Sequence, residues 1–152
     1  MIQRSWHFLK GVAKVIFRRP LPGTNIVPLL PDGRIAFIRR RDTGKWGLPG
    51  GLIDWGETIA STAKRELAEE TGLELVKVRR LVGVYSAVDR DPRIHSVCIL
   101  VEVEAKGNFE VRDRDEILEV KAFSRDEIPF GNLCHDHDRQ LRDYFTGETV
   151  VD

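Results

Sequence analysis

Apolar positions along this chain change period several times, and each change marks an element. Residues 12–17, 25–30 and 34–41 are short runs rich in Val, Ile, Leu and Phe, the first interrupted by Lys14, and they read as strands. Pro31-Asp32-Gly33 supplies the turn between the second and third runs. In the third run Ile35 and Phe37 share a face. Strand alternation carries Arg39 and Arg41 onto that face and turns Arg40 to the other. Residues 42–45 are a loop, and residues 46–55, crowded with glycine and carrying Pro49, form an irregular segment. Over residues 58–71 the spacing becomes helical. Glu57 stands at the start, where a negative charge suits the helix dipole, and Gly72 is the stop.

Two long β segments follow, residues 75–87 and 94–104, separated by a polar loop at 88–93, and residues 117–123 form a further strand. Ser124 to Glu127 fits a capping box for a short helical turn before Pro129. Residues 135–145 can form a last helix with Leu141, Tyr144 and Phe145 turned partly inward. There is no internal repeat, linker or low-complexity segment. Mixed strands with two main helices imply one α/β domain over residues 1–152, a sheet sandwiched between helices.

Charge narrows the functional classes. The 24 basic and 24 acidic residues cancel, which argues against stable, sequence-independent nucleic-acid binding. The balance is uneven along the chain. Nothing before Asp32 is acidic, whereas Arg4, Lys10, Lys14, Arg18 and Arg19 make a cationic strip, either a solvated face or a rim that attracts phosphorylated substrate. Cys98 and Cys134 are far apart in the sequence, and Cys98 lies in an apolar run as a small core residue. Together they point to a reducing, cytoplasmic setting. Lys10 and Lys14 break up the N-terminal apolar stretch, against a signal peptide, and no apolar run approaches membrane-spanning length.

The helix at 58–71 concentrates the chemistry. At about 100° per residue, Ile59, Ala63 and Leu67 define an apolar stripe, and Glu66 and Glu70 fall within it, with Glu69 just to its side. Carboxylates on an inward face must be paired, protonated or bound to a metal. Oxygen-only ligands favour Mg²⁺, with Mn²⁺ as the substitute. Arg65 and Glu57 flank the helix, where a contact between them ties the preceding loop to the helix. The plainer alternative is a solvated acidic helix end laced with salt bridges.

Gly51, Glu57, Arg65-Glu66-Leu67, Glu69-Glu70 and Gly72-Leu73 occupy every fixed position of the Nudix box, here residues 51–73, and residues 46–51 before it are similar to the family's usual approach. The chain therefore resembles a Nudix hydrolase. The resemblance implies an α/β/α sandwich with a mixed β-sheet and a loop-helix-loop metal site. It implies that Glu66 and Glu70 bind divalent cations, with Glu69 and the carbonyl of Gly50 as further ligands and Arg65 and Glu57 in support. The reaction implied is attack of water on a diphosphate. Its general base is a box glutamate, Glu66 or Glu69, or a later carboxylate, with Glu116 and Glu119 ahead of Asp113 and Asp115.

Residues 85–95 resemble the Tyr-Ser…Arg-Asp-Pro-Arg-x-His segment of ADP-ribose pyrophosphatase-like Nudix proteins, with Ala87-Val88 in place of Asp-Pro and Ile94 in place of Gly. On this resemblance the substrate is a small-molecule nucleotide, ADP-ribose or a related nucleotide sugar, cleaved to AMP and a sugar phosphate. Tyr85, Arg90 and Arg93 are candidate substrate contacts, as are Arg39 and Arg41 for phosphate and Trp46 for a base, although Trp46 equally suits a buried anchor. Residues 133–141 resemble that subgroup's helix start, with Asp136 as the expected cap rather than His135, His137 and Cys134 as a transition-metal site. The alternatives are a nucleoside triphosphate, dinucleoside polyphosphate or RNA 5′-end pyrophosphohydrolase, and a non-catalytic nucleotide-sensing domain. The family resemblance also admits a homodimer.

Overall fold

The computed structural model describes residues 19–152. The strand expected at residues 12–17 and the basic residues Arg4, Lys10, Lys14 and Arg18 lie outside the described residues. Among those described, strands β1 (Leu21–Leu29), β2 (Ile35–Arg40), β3 (Trp46–Gly47), β4 (Gly50–Leu52), β5 (Glu74–Tyr85), β6 (Ser96–Lys106), β7 (Ile117–Phe123) and β8 (Val150–Val151) join helices α1 (Ile59–Thr71) and α2 (His137–Thr146). The sheet is mixed. β1 runs parallel to β6 along its whole length, β5 is antiparallel to β6, and β2 is antiparallel to β7.

Two apolar clusters lie on opposite faces of this sheet, which makes the α/β/α sandwich. Ile26, Ala36, Val101, Val103 and Ala105 pack beneath α1 through Ala63 and Leu67. Val27, Phe37, Leu100 and Tyr85 pack beneath α2 through Leu141. Adjacent residues of one strand, Ile26 and Val27, thus serve different cores, as a pleated strand covered on both sides requires. No helix among the described residues is long and apolar enough to cross a membrane.

The sequence expectation for β1 began at residue 25, four residues late, because Pro22 and Gly23 read as breakers. Pairing of Leu21 to Leu29 with β6 overrides that local signal. The irregular segment hides two short strands, β3 and β4, too brief to show a period. The 3₁₀ turn at Arg125–Glu127 has the anticipated capping box from Ser124 and Glu127.

Helix α1 is capped at both ends. Thr58 and Ser61 form a reciprocal capping box, and Gly72 ends the helix in the left-handed conformation with φ of 76°. The free carbonyls of the last turn are taken up by the segment between β6 and β7. Glu110 N–H donates to Thr71 O at 2.9 Å, and the amides of Arg112 and Asp113 both donate to Glu69 O, at 3.1 and 3.0 Å. A Cβ on Gly72 would stand 2.6 Å from the Glu110 nitrogen, so glycine serves both the helix stop and this docking. Gly72→Ala should therefore lower stability by about 1–2 kcal/mol from the left-handed backbone alone. It should also speed hydrogen exchange of the Glu110, Arg112 and Asp113 amides. Denaturant unfolding and exchange by NMR would check both effects.

Candidate functional site

A cleft of about 620 Å³ opens between the carboxylate side of α1, the β3–β4 segment, the β5–β6 loop and the start of α2. That size suits a nucleotide-scale ligand. One wall is acidic. Glu66, Glu69 and Glu70 face it from α1, and Asp113 and Glu116 face it from the segment docked on the helix end.

Arg65 organises this wall. Its guanidinium meets Glu57 through Nε at 2.8 Å and NH2 at 2.9 Å, and Glu66 Oε1 through NH1 at 2.7 Å, with a looser approach to Glu69 at 3.4 Å. Glu57 also accepts the Thr62 hydroxyl and the Asp54 amide, and its bonds to Arg65 and Thr62 hold its pKa down to about 2. The contact expected between helix flank and loop is therefore present as a fork. It ties residues 52–57 to the helix, since Arg65 NH2 also donates to Leu52 O.

Glu70 is only 3% exposed, and among the described residues its one hydrogen-bond partner is the Gly50 N–H at 2.8 Å. Burial pushes its pKa up to about 8. Burial also raises that of Glu66, against the pull of Arg65. The glycine loop makes this approach possible: a Cβ on Gly51 would collide with the Glu66 carboxylate. In this arrangement no three Asp, Glu, His or Cys side chains among the described residues converge into a closed metal cluster.

The opposite wall is a buried polar network. Arg90 Nη1 meets Asp136 at 2.7 Å and Nη2 donates to Ser96 Oγ at 2.9 Å, while its buried Nε has no hydrogen-bond partner among the described residues. Asp136 accepts from Gln140, whose amide oxygen accepts from Asn25. The Asn25 amide also lies 3.0 Å from His137 Nε2. Leu48 N–H donates to His137 Nδ1 at 2.9 Å, and burial holds this histidine neutral. Asp136 does precede α2, but its carboxylate makes no cap hydrogen bond, because Arg90 and Gln140 occupy it.

Several expected contacts are not brought to the cleft. Tyr85 is fully buried in the core under α2, its hydroxyl donating to Asp143 at 3.1 Å. Trp46 packs edge-on against Phe123, with ring centroids 5.1 Å apart, as an anchor for the glycine segment. Arg39 bonds Gly44 O and faces Glu119, both outside the cleft, and Arg41 bonds Arg114 O. Arg40, assigned the other way, lines the cleft instead. Both faces of β2 are buried, so its apolar alternation could not reveal which one leads to the carboxylates. Arg40 shares its side with Ala36, the side under α1. Arg90, Arg93 and Glu116 do line the cleft, with Glu66, Glu69, Glu70, Arg65 and Gly50. Asn25 and His137 were missed. A polar residue opening an apolar strand was the available sign for Asn25.

Comparison with known proteins bears on the family and the fold. The NUDIX domain family model matches residues 19–144. An ADP-ribose pyrophosphatase of Methanocaldococcus jannaschii is 38% identical over 116 residues, covering 74% of this chain and 66% of the relative, so the match spans just under two thirds of that protein's length. Among solved structures, a MutT NUDIX hydrolase from Burkholderia pseudomallei aligns with a TM-score of 0.72 at 29% identity, covering 83% of this chain and 98% of that one. An ADP-ribose pyrophosphatase from Streptococcus suis aligns with a TM-score of 0.69 at 26% identity, covering 88% and 100%. Sequence and fold both match, and the chain belongs to the NUDIX family.

Proposed function

We propose that this protein is a Mg²⁺-dependent pyrophosphohydrolase that cleaves a nucleoside diphosphate linked to another moiety, with ADP-ribose or a related nucleotide sugar as substrate. The observation that carries the reading is the charge of the cleft: among the described residues, eight carboxylates line it against four arginines. A diphosphate would be repelled from such a cleft unless cations accompanied it.

The residues present fit a hard divalent ion. All the donors on this wall are oxygens, one carboxylate is desolvated beneath a backbone amide, and the glycine loop leaves room beside another. Glu66, Glu69 and Glu70, with the Gly50 carbonyl, would hold Mg²⁺, and Mn²⁺ would serve in its place. When bound, the ion would offset phosphoryl charge and acidify water. Arg65 orients Glu66 and opposes the burial that raises its pKa. Glu116 and Asp113, facing the cleft from the docked segment, are placed to accept a proton from the attacking water, as are Glu66 and Glu69 within the box. Glu119 lies outside the cleft with Arg39. The second wall offers Arg90, Asp136, Asn25 and His137 to the nucleoside. The archaeal relative's activity and the cleft's capacity favour ADP-ribose, yielding AMP and a sugar phosphate.

A panel of ADP-ribose, other nucleotide sugars, dinucleoside polyphosphates, nucleoside triphosphates and 5′-triphosphate RNA, each with Mg²⁺ and with products identified, tests the assignment. Preferential turnover of ADP-ribose to AMP is expected, and turnover of triphosphates alone would reject it. Glu66→Gln and Glu70→Gln should each cut kcat/KM by about two orders of magnitude or more.

Glu70 also sets a pH signature. Its carboxyl, raised from 4.5 to about 8, keeps a proton in the folded state that the unfolded chain releases between those values. Stability of the metal-free protein should therefore decline as pH rises through that window, the reverse of the usual paired carboxylate. Thermal unfolding in chelator at pH values across the window should show the decline in the wild type and its loss in Glu70→Gln. Added Mg²⁺ should raise the wild-type midpoint most at the alkaline end.

A further inference from the structure

The four arginines of the cleft are held differently. Arg65 is committed to Glu57 and Glu66, and Arg90 to Asp136 and Ser96. Arg40 and Arg93 instead share Asp42, on the loop between β2 and β3. Arg40 reaches it with Nε and NH2, both at 3.0 Å, the parallel fork with which a guanidinium also meets a phosphate. Arg93 approaches from the β5–β6 loop, with NH1 3.4 Å from the same carboxylate and NH2 2.8 Å from Asp91. Both guanidinium groups line the cleft, whereas Asp42 does not, and its side chain is 44% exposed.

We propose that Asp42 competes with the substrate's phosphates: it holds Arg40 and Arg93 at the mouth of the cleft until phosphoryl oxygens of an incoming diphosphate take over their donors. Three features support the exchange. The arginines come from separate segments and converge on one anionic partner, as a bridging diphosphate would require. The carboxylate is exposed, so its release into water leaves no buried unpaired charge. Among the described residues Arg65 and Arg90 are fastened on the two walls and Arg93 is forked to Asp91 through Nε and Nη2, which leaves the Arg40 guanidinium and Nη1 of Arg93, both held by Asp42, as the donors able to change partner. Asp42 is thus a determinant of affinity that never needs to touch the reacting atoms.

This inference rests on the diphosphate reading, and inorganic pyrophosphate separates the two because it carries no nucleoside. Calorimetric titration of the full chain with pyrophosphate in Mg²⁺ should show Asp42→Asn binding about 2- to 5-fold tighter than the wild type, the range of an exposed ion pair. Glu119→Gln removes the same charge outside the cleft and should bind as the wild type does, whereas Arg40→Gln and Arg93→Gln should bind more weakly. Weaker or unchanged binding by Asp42→Asn, an equal gain in Glu119→Gln, or no pyrophosphate binding by any form would overturn the proposal. Failure to hydrolyse ADP-ribose alongside the expected pyrophosphate series would reject the substrate and leave Asp42's role standing.

Discussion

Glu70 lies on the inward face of α1 in line with Ala63 and Leu67 and is nearly as buried as they are, whereas Ile59, expected at the start of that stripe, is 39% exposed at the helix entry. A carboxylate there costs several kcal/mol of lost hydration unless something restores it. Among the described residues it is met by one backbone amide, from Gly50, and no side-chain hydrogen bond, with Arg40 acting on it only through its charge. This deficit orders the surroundings. The glycine loop must come close enough to donate that bond, which excludes side chains at residues 50 and 51. Arg65, one turn away, is already taken by Glu57 and Glu66 and does not neutralise Glu70. The helix is thus stable as a fold element while its last inward-facing carboxylate has no ion-pair partner among the described residues.

The same helix positions the carboxylates that are not on it. Its last carbonyls have no partners within the helix, and the amides of Glu110, Arg112 and Asp113 supply them. Asp113 and Glu116 therefore take their place relative to Glu69 from main-chain bonds, which hold geometry better than contacts between long flexible side chains. At the other end, the Arg65–Glu57 fork anchors the glycine loop. One rigid helix fixes both flanking segments, so the acidic wall is set by capping and one ion-pair hub rather than by loop packing.

Much of this was legible in the sequence for a physical reason: the box compresses helix, caps and carboxylates into one continuous segment, where spacing alone determines which residues meet. Glu57 with Arg65, and Glu66 with Glu70, are relations within a helix and its entry. The opposite wall is assembled from β1, the β5–β6 loop and α2, so Asn25, Arg90 and His137 meet only through the sheet's long-range pairing. Arg40 shows the difficulty most clearly. Alternation identified the two faces of β2 correctly, but both faces are buried, and only the packing of α1 on Ala36 tells which one leads to the site. Tyr85 failed as a base contact for the same reason, since its face of β5 is covered by α2.

On the proposed function, the two walls together would make metal and substrate affinity interdependent. With eight carboxylates and four arginines, two of them fastened, the cleft alone opposes a diphosphate by simple Coulomb repulsion. Each divalent cation held by the acidic wall lowers that opposition, and each bound diphosphate adds oxygens that favour the cation. By linkage the two affinities must rise by the same factor. A neutral overall composition conceals this, because the chain's 24 positive and 24 negative charges cancel only when summed over the whole sequence. Among the described residues the balance within the cleft is strongly negative, so on the proposed reading selectivity for phosphate over other anions would come from the demand for a cation as well as from arginine donors.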